Sequence, residues 1–593
     1  KKKKKKFDRK SMMLQARSIR DDKGNESGLV AAAATRRRVN SSAMLSKSSI
    51  DSAIAGLMRK KNSSFRFANG WRVYDHQAEF DRMGIQTSLA WRVSTLNFEY
   101  KVCDSYPRLI GVPASIHNND LIKAAQFRSK SRMIALTWRR GAVPFRKDVS
   151  GKTPSEGDRM TMLTTLESDV ALVRCAQPLV GLTGSTSSRD EKILGLLADT
   201  SVTVSASTGE KVAMLYDARP QISATANLAR GGGYERMSQY KNCELEFLGI
   251  QNIHAVREAF VRLHGMFSKV QSSNRHQELA HAHVEAQLRE SEGSAGLGYV
   301  LGDGDEMIGD RSGGGEREAG TGNALNTSGM TWFHHLVDVL SGSVQVARCI
   351  DGGTSALVHC SDGWDRTSQV CALVQLFLDP YFRTLRGFQV LIEKEWLSFG
   401  HKFAERCGHD TSSKKSREDY LDKQRSPVFA QFLDCVWQIC KQFPRYFEFN
   451  DLLLSAALRH VYSARYGTFL FNTERERVQD NLSTKAVSLW TEINVHIQPF
   501  LNDMYDPGTA TAESSTRMLQ EMQLEVPLLS LWPAYELMWR QGAVNSRMKR
   551  ASAGGSVGGR GVGGETGSTD GNTRSEATDK NQLLEQTGGG LTS

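Results

Sequence analysis

The 593-residue sequence has no unbroken apolar stretch of the length a membrane-spanning helix needs. Its basic start, Lys1 to Lys6, is not followed by an apolar core, so no secretory signal is read there. Cysteine is sparse: nine residues, an odd number, with no CxxC pair. That argues against a disulfide framework and against a zinc module, and it suits a reducing, cytosolic setting. Sustained heptads are missing, so no coiled coil is predicted. The first residue is Lys rather than Met, which suggests a fragment or a processed chain.

Charge is present but unevenly placed. The formal net charge is +11, yet residues 1–60 hold 17 Lys and Arg against 5 Asp and Glu, so the remainder is close to neutral. Lys1–Lys6 and Arg36–Arg38 lie among Ser, Ala, Gly and Asn without apolar periodicity, and residues 1–64 read as a disordered basic arm. Such an arm is drawn to anionic headgroups or serves as a nuclear-import-like patch; a solvated linker reads equally well. No nucleic-acid partner is expected. Residues 145–169 and 286–330 are polar and rich in Gly, Ser and charge, and read as disordered insertions. Residues 541–593, with the low-complexity run VGGRGVGGETG, read as a disordered tail. What is left, residues 65–540, is long enough to bury a large core.

The chain is organised around Val358 to Thr367, VHCSDGWDRT. Ala356-Leu357-Val358 suits a buried strand. Thr367 is a plausible N-cap or first-turn residue, and Val370, Leu373, Val374 and Phe377 then recur at helical spacing. A short loop feeding a helix N-terminus turns several N–H groups toward one point, which makes an anion site. Cys360 and Arg366 stand six positions apart across that loop. A thiol reacts as its thiolate, a form that a helix N-terminus, inward N–H groups and a guanidinium favour. Arg366 can grip two phosphate oxygens in a fork. Cys360 would attack phosphorus in line, Asp365 is a local candidate to protonate the leaving oxygen, and water would hydrolyse the cysteinyl-phosphate. Arg366 and the loop amides supply the positive field, so no metal or other cofactor is needed. A lone C-x5-R match is common by chance, but this one sits in the strand–loop–helix setting a phosphate cradle needs. Asp362 and Asp365 could instead hold the loop through bonds to backbone N–H groups.

The string HCSDGWDRTSQV resembles the signature loop of the myotubularin phosphoinositide phosphatases, a branch of the cysteine-dependent protein-tyrosine-phosphatase superfamily. RGFQVLIEKEWLSFGHKF (386–403), SPVFAQFLDCVWQICKQFPRYFEFN (426–450), YDARP (216–220), ANLARGGGYE (226–235) and FLGIQNIHAVRE (247–258) resemble the same family. The resemblance covers roughly residues 65–500. It implies an α/β fold: an enlarged protein-tyrosine-phosphatase-like domain with a central mixed sheet flanked by helices. It implies removal of the 3-phosphate from phosphatidylinositol 3-phosphate and phosphatidylinositol 3,5-bisphosphate. It also implies phosphoinositide headgroups as the partner, and a cytoplasmic protein held peripherally on endosomal or other phosphoinositide-bearing membranes.

By resemblance, Asp217 of YDARP matters for activity, as proton donor or as architectural partner; an ion pair with Arg219 or another Arg is the plain alternative. Asn227, Asn252 and Ile253 match positions near the family's substrate, and the amides suit inositol hydroxyls. Without the resemblance both Asn residues read as turn residues. Ser361, Asp362, Gly363 and Trp364 line the loop. Arg406 matches a substrate-contacting Arg; the plain alternative is a surface Arg on a helix. Where the family has Gly-His-Gly-Asp, this chain has Gly408-His409-Asp410, which leaves that loop's part in specificity open. No complete PH-GRAM region fits before the phosphatase part, so it is lost or lies upstream. A family homo- or hetero-oligomer is an open expectation, though no coiled coil is seen, nor the Cys spacing of a FYVE finger. Two other functions stay open: a protein phosphatase of the same superfamily, and a non-catalytic phosphoinositide-binding scaffold. The intact Cys and Arg weigh against the scaffold.

Elsewhere, Phe127 to Arg132 reads as a solvated basic strand edge that could touch lipid phosphates, ahead of a core strand at Met133–Trp138. Gly231-Gly232-Gly233 reads as backbone free to approach a ligand, or as a flexible turn. Trp332, Leu336, Val337 and Leu340 resume a helical stripe near the loop. Phe429, Phe432, Leu433, Val436 and Trp437 form one face of a helical layer, with Trp490 and Trp532 as packing anchors.

Overall fold

Apolar runs bounded by polar turns become strands here, and seven of them join into one mixed sheet. The strands are β1 (Trp91–Ser94), β2 (Ile110–Pro113), β3 (Ala135–Arg139), β4 (Ala171–Ala176), β5 (Ala213–Asp217), β6 (Cys243–Phe247) and β7 (Ala356–Cys360), in the order β1-β2-β3-β4-β7-β5-β6. β1 to β4 pair antiparallel, whereas β4–β7, β7–β5 and β5–β6 are parallel. The computed structural model describes residues 69–140, 169–206, 208–265, 321–409, 422–509 and 512–540.

The sheet's centre is buried on both faces. Every residue of β3, β4 and β7 is buried, as expected of strands covered by helices on each side. Two long helices lie against β7: α1 (Thr321–Asp351) and α2 (Arg366–Leu378). From Thr367 to Phe377, α2 is buried all the way round. Trp332, Leu336 and Leu340 of α1 are fully buried and Val337 partly so, so the expected stripe is core. α3 (Val428–Gln442) continues the layer. Its burial extends beyond the expected face to Gln431, Asp434 and Gln438, because α1 and a helix at Asp451–Ser463 both pack on it. Trp490 and Trp532 are fully buried and cap carboxylates: Trp490 donates to Glu393 at 2.7 Å and Trp532 to Asp451 at 2.7 Å.

Three expectations shift. α1 begins at Thr321, inside the stretch expected as a loop through 330. Residues 321–330 have no apolar periodicity of their own, and their helix continues outward from the buried part of α1. The Arg128 and Arg132 side chains are not at a solvated edge but fully buried. The core strand expected at Met133–Trp138 is present but runs over Ala135–Arg139 as β3. The expected basic arm at 1–64, the tail at 541–593, most of 145–169 and residues 286–320 lie outside the described residues. Among the described residues no helix is long and apolar enough to cross a membrane.

Candidate active site

β7 delivers Cys360 to the sheet edge at which β4 and β5 also end, since the three run parallel. Six residues later the chain enters α2 at Arg366. The turn depends on Gly363, which has φ +74°, a region L side chains seldom adopt; a Cβ there would also press into the Cys175 carbonyl. With that geometry the Gly363 N–H points at Cys360 Sγ, 3.3 Å away. From beneath, Arg132 and Arg174 both donate to the Gly363 carbonyl, at 2.9 and 2.8 Å. These two buried guanidiniums fix the turn and place positive charge under the loop.

The Cys360 side chain is buried, and the residue is 2% exposed. Burial, with the charges of Glu235 and Asp190, pushes Cys243 up to about 12. Burial likewise pushes Cys349 up to about 11. Thiols so placed stay protonated and unreactive near neutral pH.

Arg366 opens α2. Its Nη1 donates to the Ile250 carbonyl at 3.2 Å. Its Nε is buried and has no hydrogen-bond partner among the described residues. A buried guanidinium N–H without a partner is costly unless a ligand satisfies it. Arg366 follows directly on the loop that begins at the thiol.

Asp365 precedes Arg366. Arg406 grips its carboxylate with Nε at 3.0 Å and Nη2 at 2.9 Å, and His401 Nδ1 lies 3.2 Å from Oδ1. Burial opposes ionisation, but the Arg406 charge and the bonds from His401 and Arg406 outweigh it. They hold this carboxyl well below the usual range. In this arrangement Asp365 accepts protons and has none to give. Arg406 is therefore no surface residue: it is buried, and its Nη1 reaches the Gln424 carbonyl at 3.1 Å. His401 also contacts the Trp364 carbonyl at 2.8 Å, and the Lys402 ammonium lies 5.0 Å over the Trp364 ring.

The remaining expected residues divide into two groups. Asn227 Nδ2 donates to Ser361 Oγ at 3.3 Å, and Asp362 accepts from Ser129 Oγ at 3.1 Å, so all four ring the loop. Asn252 accepts from the N–H groups of His254 and Ala255 at 2.9 and 3.1 Å and starts the helix over residues 253–265. Ile253 offers its carbonyl to Ser426 Oγ at 2.7 Å. Through Ile250 this segment meets Arg366. Asp217 ends β5 in register with His359, the neighbour of Cys360 on β7. Fully buried, it forms a bidentate pair with Arg219, with Nη2–Oδ2 at 2.6 Å and Nε–Oδ1 at 2.8 Å. Arg219 in turn donates to Gln177 Oε1 at 2.6 Å and to the Gly233 carbonyl at 2.7 Å. Gly232 is packed against Gln177, so the triple glycine serves close packing beside the loop.

Sequence reasoning assigned no role to several supporting groups. His359 meets Glu235 at 2.9 Å, and Glu235 meets Arg128 at 2.5 Å, all fully buried. Arg174, charged within the apolar run ALVRCA, was a legible signal; the partners of Arg128 and Arg132 were not.

Comparisons with known proteins place the sequence in a family. The sequence matches the Myotubularin-like phosphatase domain over residues 54–145 and 155–478. It is 36% identical over 482 residues to the phosphatidylinositol-3,5-bisphosphate 3-phosphatase MTMR2 of Bos taurus, covering 81% of this chain and 60% of that protein. The same identity and length hold for MTMR2 of Gallus gallus, with 67% of that protein covered. Myotubularin of Xenopus tropicalis is 36% identical over 473 residues, covering 79% of this chain and 63% of the relative.

Proposed function

This chain belongs to the myotubularin-like phosphatase family, and from that premise we propose that it removes the 3-phosphate from phosphatidylinositol 3-phosphate and phosphatidylinositol 3,5-bisphosphate. The chain spans about 60% of the length of most of the relatives it matches first. The observation that carries the reading is the pairing of Cys360, under the Gly363 N–H, with Arg366, whose buried Nε is unpartnered among the described residues.

In this reading the phosphate sits on the loop amides and the Arg366 fork. Cys360 Sγ attacks phosphorus, the bond to the inositol oxygen breaks, and the departing oxygen takes up a proton. Asp365 is ionised in the resting arrangement. It gives that proton only once its pair with Arg406 has loosened and it has taken up a proton from solvent. In the second half a water attacks the cysteinyl-phosphate, the S–P bond breaks, and ionised Asp365 takes the water's proton. Asn227 and the segment at Asn252 and Ile253 line the way to the loop, and Arg406 acts through its hold on Asp365. Asp217 acts as the partner that holds Arg219 and, through Gln177, the loop's flank. The cytoplasmic face of endosomal or other phosphoinositide-bearing membranes is the setting this substrate implies.

The test is phosphate release from a panel of short-chain phosphoinositides, wild type beside Cys360→Ser. Release confined to lipids with a 3-phosphate, and lost in the variant, supports the reading. Faster turnover of phosphopeptides than of lipids would replace it with a protein phosphatase. Silence from folded wild type, with lipid still bound, would leave a binding scaffold.

A further inference from the structure

Leu179, Leu182 and Ile222 are 39, 76 and 84% exposed. A lone exposed aliphatic side chain is ordinary. The placement of these three is not. Because β4, β5 and β7 run parallel, the segments that follow them leave from one edge of the sheet. Leu179 and Leu182 follow β4, Ile222 follows β5, and the loop of Cys360 follows β7.

Hydrogen bonds tie these segments into one rim. Gln177 N–H donates to the Ser361 carbonyl at 3.2 Å, and Gly181 N–H to the Gly232 carbonyl at 2.8 Å. Asn227, at the end of the helix Gln221–Ala226 that carries Ile222, donates to Ser361. Ser185 N–H closes back on the Val180 carbonyl at 2.8 Å, so Leu182 stands at the tip of a formed turn. Basic residues lie between the aliphatic ones. Lys130, Arg230 and Arg236 are exposed. Lys130 adjoins Ser129, which donates to Asp362; Arg230 adjoins the triple glycine; the Arg236 guanidinium lies against Gly184.

We infer that this rim is a docking surface for an anionic phospholipid bilayer, with Leu179, Leu182 and Ile222 entering the interface while Lys130, Arg230 and Arg236 face the headgroups. The inference rests on the function proposed above, which puts the substrate's phosphate at the loop and its acyl chains in a bilayer. Protruding aliphatic tips interspersed with cations match a fluid, negatively charged interface.

The experiment uses the double variant Leu182→Asp/Ile222→Asp of the full chain. Both positions are solvent-facing, so thermal unfolding should match wild type. Two substrates are compared: soluble short-chain phosphatidylinositol 3-phosphate, and the long-chain lipid in phosphatidylcholine vesicles containing phosphatidylserine. On the soluble substrate kcat/KM should stay within about twofold, while on vesicles it should fall about tenfold or more, and sedimentation with vesicles lacking substrate should fall in parallel. Equal activity and vesicle binding in variant and wild type would overturn the inference. So would a parallel loss on both substrates, which would assign these residues to substrate binding. If wild type releases no phosphate from either substrate, the proposed function has failed; vesicle sedimentation then still decides docking, supported by loss in the variant and overturned by its retention.

Discussion

Arg406 holds Asp365 side-on, two nitrogens to two oxygens at 3.0 and 2.9 Å, forty-one positions apart in the chain. The pair keeps the Asp365 carboxylate ionised against its own burial. In Arg406→Gln the counter-charge is gone and burial works against His401 alone. The carboxyl should then titrate at higher pH, and an acidic limb should enter the measurable pH–rate profile for an activated aryl phosphate. An unmoved profile would show that Asp365 is not the group that moves the proton.

Asp217 and Arg219 carry a different expectation. Asp217→Asn leaves a fully buried guanidinium without its countercharge. Breaking such a pair costs about 3–5 kcal/mol. Thermal or urea unfolding should register that loss, and turnover of aryl and lipid phosphates should fall together. A selective loss with poor leaving groups, at unchanged stability, would make Asp217 the proton donor instead.

Gly363→Ala tests the turn itself. Its φ of +74° and the Cys175 carbonyl beside it leave no room for a Cβ. Backbone strain of this kind costs about 1–3 kcal/mol. The Gly363 N–H should also turn away from Cys360 Sγ. Activity should therefore fall further than the shift in unfolding midpoint would explain. Full activity at wild-type stability would mean that the N–H on Sγ is dispensable.

Glu393 links stability to pH. Burial pushes it up to about 7, against the Arg477 charge and the Trp490 hydrogen bond. The folded chain thus keeps a proton that the unfolded chain releases near pH 4, and stability falls as pH rises from about 4 to about 7. Glu393→Gln keeps an acceptor for Trp490 and removes the titration. It should match wild type near pH 4 and exceed it by about 3 kcal/mol near pH 8 in urea unfolding. A difference that is the same at both pH values would rule out this linkage.

The strand, loop and helix of residues 356–377 were legible because their signal is local: an apolar triplet, a glycine turn and helical spacing within one short stretch. The Asp217–Arg219 pair, two residues apart, was legible for the same reason. Arg132 was misread because its partners, the carbonyls of Ser105, Gly363 and Phe399, lie 27, 231 and 267 positions away. A charged residue looks solvated until distant backbone closes over it. Arg406 was placed near the substrate by resemblance, but its grip on Asp365 arises only when α2 and the helix Phe403–Cys407 come together.

The position of β7 has a consequence for how the chain comes together during synthesis. The strand inserts between β4 and β5, both made long before it. Until residue 360 has left the ribosome, the sheet exists as two pieces: an antiparallel group ending at β4 and a parallel pair beginning at β5. Each leaves an open edge that can pair wrongly. β7 closes both edges at once, and the strand that does so ends in the nucleophile. The nascent protein therefore holds no assembled phosphate cradle until its sheet is whole, and a chain stalled before β7 is both inert and prone to stick to its neighbours.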